Sequence, residues 1–423
     1  MQENYKNAWI VCLVASLFFM DEFMRINIFN NLQQDLHKEL GISISQYSNL
    51  AACYFYGNMI MLFPAGIMLD RMSVKKILIT VTLACAFASF IMAHATSYSA
   101  AVISRIIIGL GGAFPLLAVF KLATRWFKPN QLALVMGVTV TIAMTGGLIA
   151  QTPFILLKHL VGWRETLLID TAFGVFSALL MFKFVHDKPS GAAPDQQQQF
   201  SLTEFLKTVK QAGGNKHTWI AGLAISLLNL PIFIFGAIWG LPYLMQYHAL
   251  TEVDSSMVVS MMFIGMIIGS PLLGAWSDNY KFAFLGGIKL LPEKSRSQVM
   301  LLSGLLLMLL SFVIIFHGPW SFSMLMVIFL LIGFFSSGQV AGYPYISENN
   351  KPELAATAGG ISSMLIMAGG IVQPFFGWLL EYAGDHKFLK SVVLYSPHDY
   401  QLALSIIPIA SFVVIFLAAK MAK

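Results

Sequence analysis

Charged residues are scarce in this chain of 423 residues: they make up 11 % of it, against 57 % for hydrophobic residues. A soluble domain carries roughly 25 % charged residues, so there are too few here to cover a water-exposed surface of this size. Apolar runs of about 20 residues recur along the sequence, which is the length a helix needs to cross a membrane. The composition therefore predicts a polytopic membrane protein.

Cysteine is also rare, and the motifs of common enzymes are missing. Cys12, Cys53 and Cys85 all lie inside apolar runs without metal-ligand spacing, so we expect small buried residues rather than disulfides or metal ligands. No polar segment contains a phosphate-binding loop, a zinc spacing or a nucleophile elbow. We therefore expect no enzyme activity, no cofactor and no metal. The net charge of +6 is spread along the chain and does not indicate nucleic-acid binding.

Twelve apolar segments are predicted to be membrane helices, because they are long, continuous and not alternating as barrel strands are. They span residues 8–32, 47–69, 76–95, 99–121, 131–157, 164–185, 217–246, 256–276, 299–317, 321–344, 354–381 and 399–419. The fold class is thus an all-α membrane protein with twelve transmembrane helices. The polar segment 186–216 contains four consecutive glutamines and is predicted to be a flexible linker. Inside it, Ser201 and Glu204 have capping-box spacing, which predicts a short amphipathic helix on the membrane surface.

The linker divides the chain into two predicted six-helix bundles, residues 1–185 and 217–423. Two features recur in both halves, which predicts a parallel repeat with pseudo-two-fold symmetry; they are Gly66-x-x-x-Asp70 with Gly274-x-x-x-Asp278, and Gly146-Gly147 with Gly369-Gly370. Lysine and arginine indicate the orientation. If the amino terminus is cytoplasmic, nineteen of them lie on that side and five on the other. Both termini are therefore predicted to be cytoplasmic.

The loop after the second helix carries the most specific motif. Gly66, one turn before Asp70, is expected to let a neighbouring helix approach closely, and Arg71 and Lys75 follow at the water boundary. With Arg105-Ile-Ile-Ile-Gly109-Leu-Gly111 in helix four, this loop resembles the major facilitator superfamily along essentially the whole chain. Ser73 replaces the usual glycine of the loop, and Val74 replaces the usual base.

The resemblance implies two bundles that rock around a central cavity, open alternately to each side. It gives a gating role to a set of loop residues, namely Gly66, Asp70, Arg71, Lys75, Gly274 and Asp278. Asp70 would bond near the start of helix eleven when the cytoplasmic side is closed, since a helix amino terminus favours a carboxylate. Alternatively, Asp70 and Arg71 mark the water boundary and nothing more. Arg105 is either a cation in the cavity or a purely structural residue.

Helix one carries charge in its second half. Asp21 lies about 13 residues past the predicted helix start, or roughly 20 Å of rise, and ionisable residues at that depth are usually functional. Asp21 and Glu22 are spaced so that either can pair with Arg25, which leaves one carboxylate to take a proton. We predict that Asp21 or Glu22 carries a coupling proton and that Arg25, with Asn27 behind it, contacts an anionic group of the substrate. The alternative is a closed structural cluster.

The other polar residues predicted inside the membrane are neutral. Each is either a substrate contact or a hydrogen bond between helices: Tyr54, Asn58, Gln151, Asn229, Gln339, Tyr343 and Gln373. The position of Asp170 is left open between the membrane and the outer loop that contains Arg164 and Glu165.

These features predict a secondary active transporter of a bacterial inner (plasma) membrane that takes up a small polar or anionic metabolite with protons. The Arg25-x-Asn27 pair resembles the organic-anion branches of the superfamily. Three alternatives stay open: a proton-driven exporter of amphipathic compounds, an organic-anion exchanger with Arg25 and Arg105 as the clamp, and a non-transporting sensor or scaffold. The expected partners are the lipid bilayer, protons and the substrate, and a monomer suffices.

Overall fold

The computed structural model describes residues 2–127, 132–189, 202–277, 295–316, 320–351, 354–382, 387–389 and 392–422. The chain forms two compact units, Met1–Gln198 and Gln199–Lys423. Asp278, one of the predicted gating residues, lies outside the described residues, as does the side chain of Asp70.

The N-terminal unit consists of helices paired across the bundle. These are α1 (Gln2–Asn27), α2 (Gln33–Leu40), α3 (Ile44–Arg71), α4 (Val74–Ala93), α5 (Tyr98–Gly112), α6 (Pro115–Trp126), α7 (Leu132–Ile149), α8 (Thr152–Val161) and α9 (Trp163–Phe184), with a 3-10 turn over Ile28–Asn31. The most extensive packing joins α1 to α7, α3 to α5 and α4 to α9. A Cβ at Gly109 would overlap the backbone carbonyl of Tyr54, so α3 and α5 approach backbone to backbone through this glycine.

The C-terminal unit repeats this arrangement. Its elements are α10 (Leu202–Gly213), α11 (Lys216–Leu228), a π segment (Ile232–Trp239), α12 (Gly240–Tyr247), α13 (Glu252–Ser277), α14 (Ser295–Phe316), α15 (Phe322–Ser336), α16 (Gly342–Glu348), α17 (Ala355–Ala368), α18 (Val372–Tyr382), α19 (Pro397–Leu404) and α20 (Ile406–Met421). The most extensive packing joins α11 to α17, α13 to α15 and α14 to α20. These are the counterparts of the three N-terminal pairs, as a parallel repeat requires. The backbone approach also recurs, because a Cβ at Gly333 would overlap the carbonyl of Met262.

Several segments predicted as single helices are broken. Six breaks each lie a few residues before or beside a proline. They separate α5 from α6, α7 from α8, α11 from α12, α15 from α16, α17 from α18, and α19 from α20. A proline inside a helix removes one backbone hydrogen bond and clashes with the carbonyl four residues earlier. Pro64 and Pro271, however, lie inside the continuous helices α3 and α13, so proline alone does not decide where a helix breaks.

Among the described residues, nine helical segments are long and apolar enough to cross a membrane, and eleven if each of two bent pairs is one span. The bent pairs are Val135–Ile149 with Thr152–Val161, and Lys216–Leu228 with Ile232–Tyr247, each with a bend of 41°. The predicted number of twelve spans and the cytoplasmic location of the termini stay predictions.

The fold class is all-α, as predicted, and one short element of the described chain is not helical. Strands β1 (Lys387–Leu389) and β2 (Val392–Leu394) form an antiparallel pair, with Phe388 opposite Val393. The pair precedes α19, whose first turn is closed by a capping box between Ser396 and Asp399. The helical bundles are unaffected by this small addition.

Candidate functional site

The centre of the N-terminal unit holds a buried ion cluster around Arg25. The guanidinium Nη1 lies 2.7 Å from Asp21 Oδ2, one turn earlier on α1, and Nε lies 2.8 Å from Asp170 Oδ2 on α9. All three side chains are at most 3 % exposed. Buried charges are tolerated only when they are paired and hydrogen-bonded, so α1 and α9 depend on each other here.

Asp170 therefore lies inside the bundle, not at the outer loop. The sequence offered a signal, an aspartate within the apolar segment 164–185, but its partner is 145 residues away. Arg164, by contrast, lies in the first turn of α9, where its guanidinium binds Glu39 at 2.7 Å and the carbonyls of Ala93 and Ala95.

Glu22 belongs to a different set of contacts. Its Oε1 accepts a hydrogen bond from the Tyr54 hydroxyl on α3, and Asn58 Nδ2 lies 3.4 Å from the same hydroxyl. Glu22 is 4 % exposed, and its Oε2 is buried without a hydrogen-bond partner among the described residues. The two adjacent acids thus have separate environments: Asp21 has a guanidinium partner, whereas Glu22 has a hydroxyl.

Arg105 is the second buried arginine of this unit. It donates to the backbone carbonyls of Arg25, at 3.1 Å, and Ala51, at 3.2 Å. Its guanidinium carbon lies 3.8 Å from the ring centroid of Phe29, which is a cation–π contact. Within the described part of the chain, no carboxylate pairs with it. A cavity of about 20 Å³, the size of one water molecule, is lined by both Arg25 and Arg105.

Five of the predicted neutral contact residues lie where helices end or break. Asn229 ends α11 and donates to the side chain of Gln339, which lies in the 3-10 turn between α15 and α16. Gln373 Nε2 donates to the Phe233 carbonyl in the π segment at 2.9 Å. Gln151 lies at the start of α8 and accepts a hydrogen bond from the Asn30 side chain. Asn27 lies at the end of α1 and donates to the Phe23 carbonyl. Tyr343 is different, being 41 % exposed.

The gating loop has one clear structural role. Ser73 caps α4 by accepting from the backbone N–H of Lys76, and Asp187 accepts from the backbone N–H of Lys75 at 2.8 Å. A serine is thus well suited to the position where the family pattern has glycine. No described atom lies within 4 Å of a Cβ placed at Gly66, so none of the described helices approaches closely at this position. The gating roles of Gly66, Arg71 and Gly274 stay predictions.

Comparison with known proteins identifies the family. The family model described as Major Facilitator Superfamily matches residues 11–374 and, in a second match, residues 221–422. The chain belongs to this superfamily. It is a multi-pass membrane transporter and not an enzyme, as the sequence predicted.

Relatives with assigned names are distant but cover most of the chain. A probable sulfoacetate transporter, SauU, of Cupriavidus necator is 23 % identical over 89 % of this chain and 87 % of its own. The hexuronate transporter of Bacillus subtilis is 24 % identical over 82 % of each chain. A putative niacin/nicotinamide transporter, NiaP, of the same organism is 24 % identical over 85 % of this chain and 86 % of its own.

Solved structures agree on the fold. A crystal structure of a bacterial homologue of the human lysosomal transporter Spinster, inward-facing and unoccupied, has a TM-score of 0.74 at 16 % identity and covers 99 % of this chain and 96 % of its own. A mutant of the nucleoside transporter NupG has a TM-score of 0.75 at 15 % identity, over 99 % of this chain and all of its own.

Proposed function

We propose that this protein takes up a small organic anion together with a proton, across a bacterial inner membrane and by alternating access. The observation that carries the proposal is an excess of acid in the buried cluster. Asp21 and Asp170 share the guanidinium of Arg25, and Arg105 adds a second positive charge. Glu22 is then the acid without an arginine partner. A buried carboxylate without a counter-charge is costly, and a proton removes that cost.

Of the two acids predicted to carry the coupling proton, Glu22 is thus the better candidate. Asp21 lies 2.7 Å from a guanidinium that stabilises its charge, whereas Glu22 accepts from a neutral hydroxyl. Loss or gain of a proton at Glu22 changes the net charge of the whole cluster. The packing of α1 against α3 at this site is therefore expected to depend on pH.

The substrate class is proposed from the relatives. Sulfoacetate, hexuronate and niacin are small organic acids, and they occur in the names of three transporters that align with most of this chain, the third of which is also named for the neutral compound nicotinamide. Arg105 is the better candidate of the two arginines for meeting such an anion, because Arg25 already holds two carboxylates. The space beside Arg105 holds about one water molecule, so binding there requires the surrounding helices to move. Asn229, Gln339, Gln373 and Tyr343 are proposed contacts for the neutral part of the substrate.

The test is uptake by the purified protein in vesicles with an imposed proton gradient, acidic outside. Sulfoacetate, a hexuronate and niacin are the first compounds to try, after a thermal-shift screen for ligands that stabilise the folded state. We expect Glu22→Gln to abolish gradient-driven accumulation but to preserve exchange of the same compound. Glu348→Gln removes an exposed acid, paired with Arg296 at 2.8 Å, and serves as the control that keeps accumulation.

Two outcomes would redirect the proposal. Accumulation that is unchanged in Glu22→Gln and does not depend on the gradient would favour the anion exchanger. Stabilisation by lipophilic cations, with no response to organic anions, would favour the exporter.

A further inference from the structure

We propose that Gly112 is a positioning residue for the proton site, because its missing side chain leaves the space in which the Glu22 carboxylate and the Tyr54 hydroxyl meet. The inference rests on the proposed function, since it takes Glu22 as the group that binds the proton.

The geometry at the end of α5 carries this step. A Cβ built on Gly112 would overlap Glu22 Oε1 and the Tyr54 hydroxyl oxygen, and it would lie 3.0 Å from Asn58 Nδ2. The three atoms come from α1 and α3 and are joined to one another by hydrogen bonds. A methyl group therefore cannot be added without separating the carboxylate from its donor. Glu22 is only 4 % exposed, so the carboxylate has little contact with water to replace that hydrogen bond.

Backbone strain does not explain a glycine at this position. Gly112 is the last residue of α5 and is not among the residues with positive φ, and alanine is the better helix former by about 1 kcal/mol. The side-chain atoms that Gly112 faces, and not its own conformation, thus require the glycine.

Gly174 on α9 offers a matched comparison on the other side of the cluster. A Cβ there would lie 2.7 Å from Arg25 Nη2, 3.0 Å from the Ala86 Cβ and 3.5 Å from Asp21 Oδ2. Gly112 therefore contacts the Glu22 group, and Gly174 contacts the ion pairs of Arg25. Gly137 on α7 is the neutral control, because no described atom lies within 4 Å of a Cβ at that position.

The experiment measures proton binding without needing the substrate. The unfolding temperature of the purified full-length protein is followed against pH for the wild type, Glu22→Gln, Gly112→Ala, Gly174→Ala and Gly137→Ala. The pH dependence that Glu22→Gln removes belongs to Glu22. We expect Gly112→Ala to move the midpoint of that component by about one pH unit, while Gly137→Ala leaves it in place. Gly174→Ala is expected to lower the unfolding temperature at every pH, because it displaces the guanidinium of Arg25.

The outcomes separate this inference from the function on which it rests. If Glu22→Gln leaves the pH dependence unchanged, Glu22 is not the proton site and both proposals fall. If Glu22→Gln removes a component that Gly112→Ala leaves at its original midpoint, only the positioning role falls, even when Gly112→Ala is less stable.

Failure of Gly112→Ala to fold is covered by further variants. Tyr54→Phe and Glu22→Ala together remove both oxygen atoms that the new methyl group would overlap, so adding Gly112→Ala to this pair should give a protein that folds as well as the pair alone. Recovery of folding supports the contact among these three positions. A triple variant that fails to fold, beside a folded Tyr54→Phe/Glu22→Ala pair, overturns the inference.

Discussion

The two units use the same helix pairing but opposite chemistry at their centres. In the N-terminal unit, Arg25 pairs with Asp21 on its own helix and with Asp170 on α9, and the second ion pair joins α1 to α9. In the C-terminal unit, the matching helix, α11, is followed directly by Asn229, whose partner is the amide of Gln339. A repeat thus preserved the backbone packing while the polar groups inside it diverged.

The difference has a physical consequence. Charged groups in a low-dielectric interior interact strongly and respond to protons, whereas amides interact more weakly and do not titrate. The ion pairs of the N-terminal unit should therefore contribute more to stability than the amide pair of the C-terminal unit does. Four experiments test this contrast, in order of decreasing expected effect.

Removing Arg25 should have the largest effect on stability. Arg25→Leu leaves Asp21 and Asp170 buried without their shared counter-charge, at an expected cost of about 3–5 kcal/mol. The unfolding temperature of the purified protein measures it. Replacing all three residues, with Arg25→Leu, Asp21→Asn and Asp170→Asn together, should recover much of the loss. Wild-type stability in Arg25→Leu alone would show that the ion pairs do not hold α1 to α9.

Acidification should weaken the C-terminal unit through a buried neutral histidine. His248, just after α12, accepts from the Trp320 backbone N–H at 3.3 Å, and burial lowers its pKa to about 4 from the ordinary 6.5. The unfolded chain therefore takes up a proton before the folded one does. The stabilisation that the neutral His248 gives to the folded state is complete above pH 6.5. It is lost as the pH falls toward 4, which lowers the free energy of unfolding by up to about 3 kcal/mol.

The unfolding temperature against pH checks this expectation. His248→Asn offers an amide oxygen as the acceptor and does not titrate, so its curve should be flatter than that of the wild type between these two values. Parallel curves would contradict the assignment.

The amide pair of the C-terminal unit should contribute less than the ion pairs. Hydrogen bonds between membrane helices average about 0.6 kcal/mol in double-mutant cycles, so Asn229→Ala and Gln339→Ala should couple by about that amount. Asn229→Ala combined with Ser411→Ala is the control and should be additive, because Ser411 bonds within its own helix to Ile407. A coupling as large as that of the Arg25 cluster would remove the contrast between the units.

The sequence predicted the local parts of this arrangement and left open the distant ones. The pairing of Asp21 with Arg25 follows from one helical turn of spacing. Asp170 and Tyr54 could not be assigned as partners, because their contacts depend on how α9 and α3 pack on α1. Apolar runs located the helices well, since their length is set by the membrane.

Helix breaks were missed for a similar reason. Hydrophobicity does not distinguish a straight apolar helix from a bent one, and Pro64 and Pro231 look alike in sequence although only the second adjoins a break. The amides next to the breaks, such as Asn229 and Gln373, were selected only as polar residues in apolar runs. Their position beside π or 3-10 segments became evident from the backbone.

The smallest effect is expected at the contact between the end of α2 and the start of α9. Partial burial opposes ionisation of Glu39, but hydrogen bonds from Trp163 and Arg164 outweigh it and hold the pKa of Glu39 below its usual value. The ionised Glu39 stabilises the folded state above the pKa that this residue has in the unfolded chain. This stabilisation disappears as the pH falls through the pKa of Glu39 in the folded chain. Since the side chain is 40 % exposed, screening limits the effect to about 0.5 kcal/mol.

Glu39→Gln should therefore lower stability by up to about 0.5 kcal/mol near neutral pH, and its curve should meet that of the wild type at the acidic end, where Glu39 itself is protonated. Measured with His248→Asn and the corresponding double variant, the curves should show that the Glu39 contribution begins to fall at a lower pH than the His248 contribution does. Additive curves are expected because the two residues belong to separate units. If Glu39→Gln instead lowered stability by the same amount at every pH, its effect would come from packing at Trp163, and the charge of this contact would not be its source of stability.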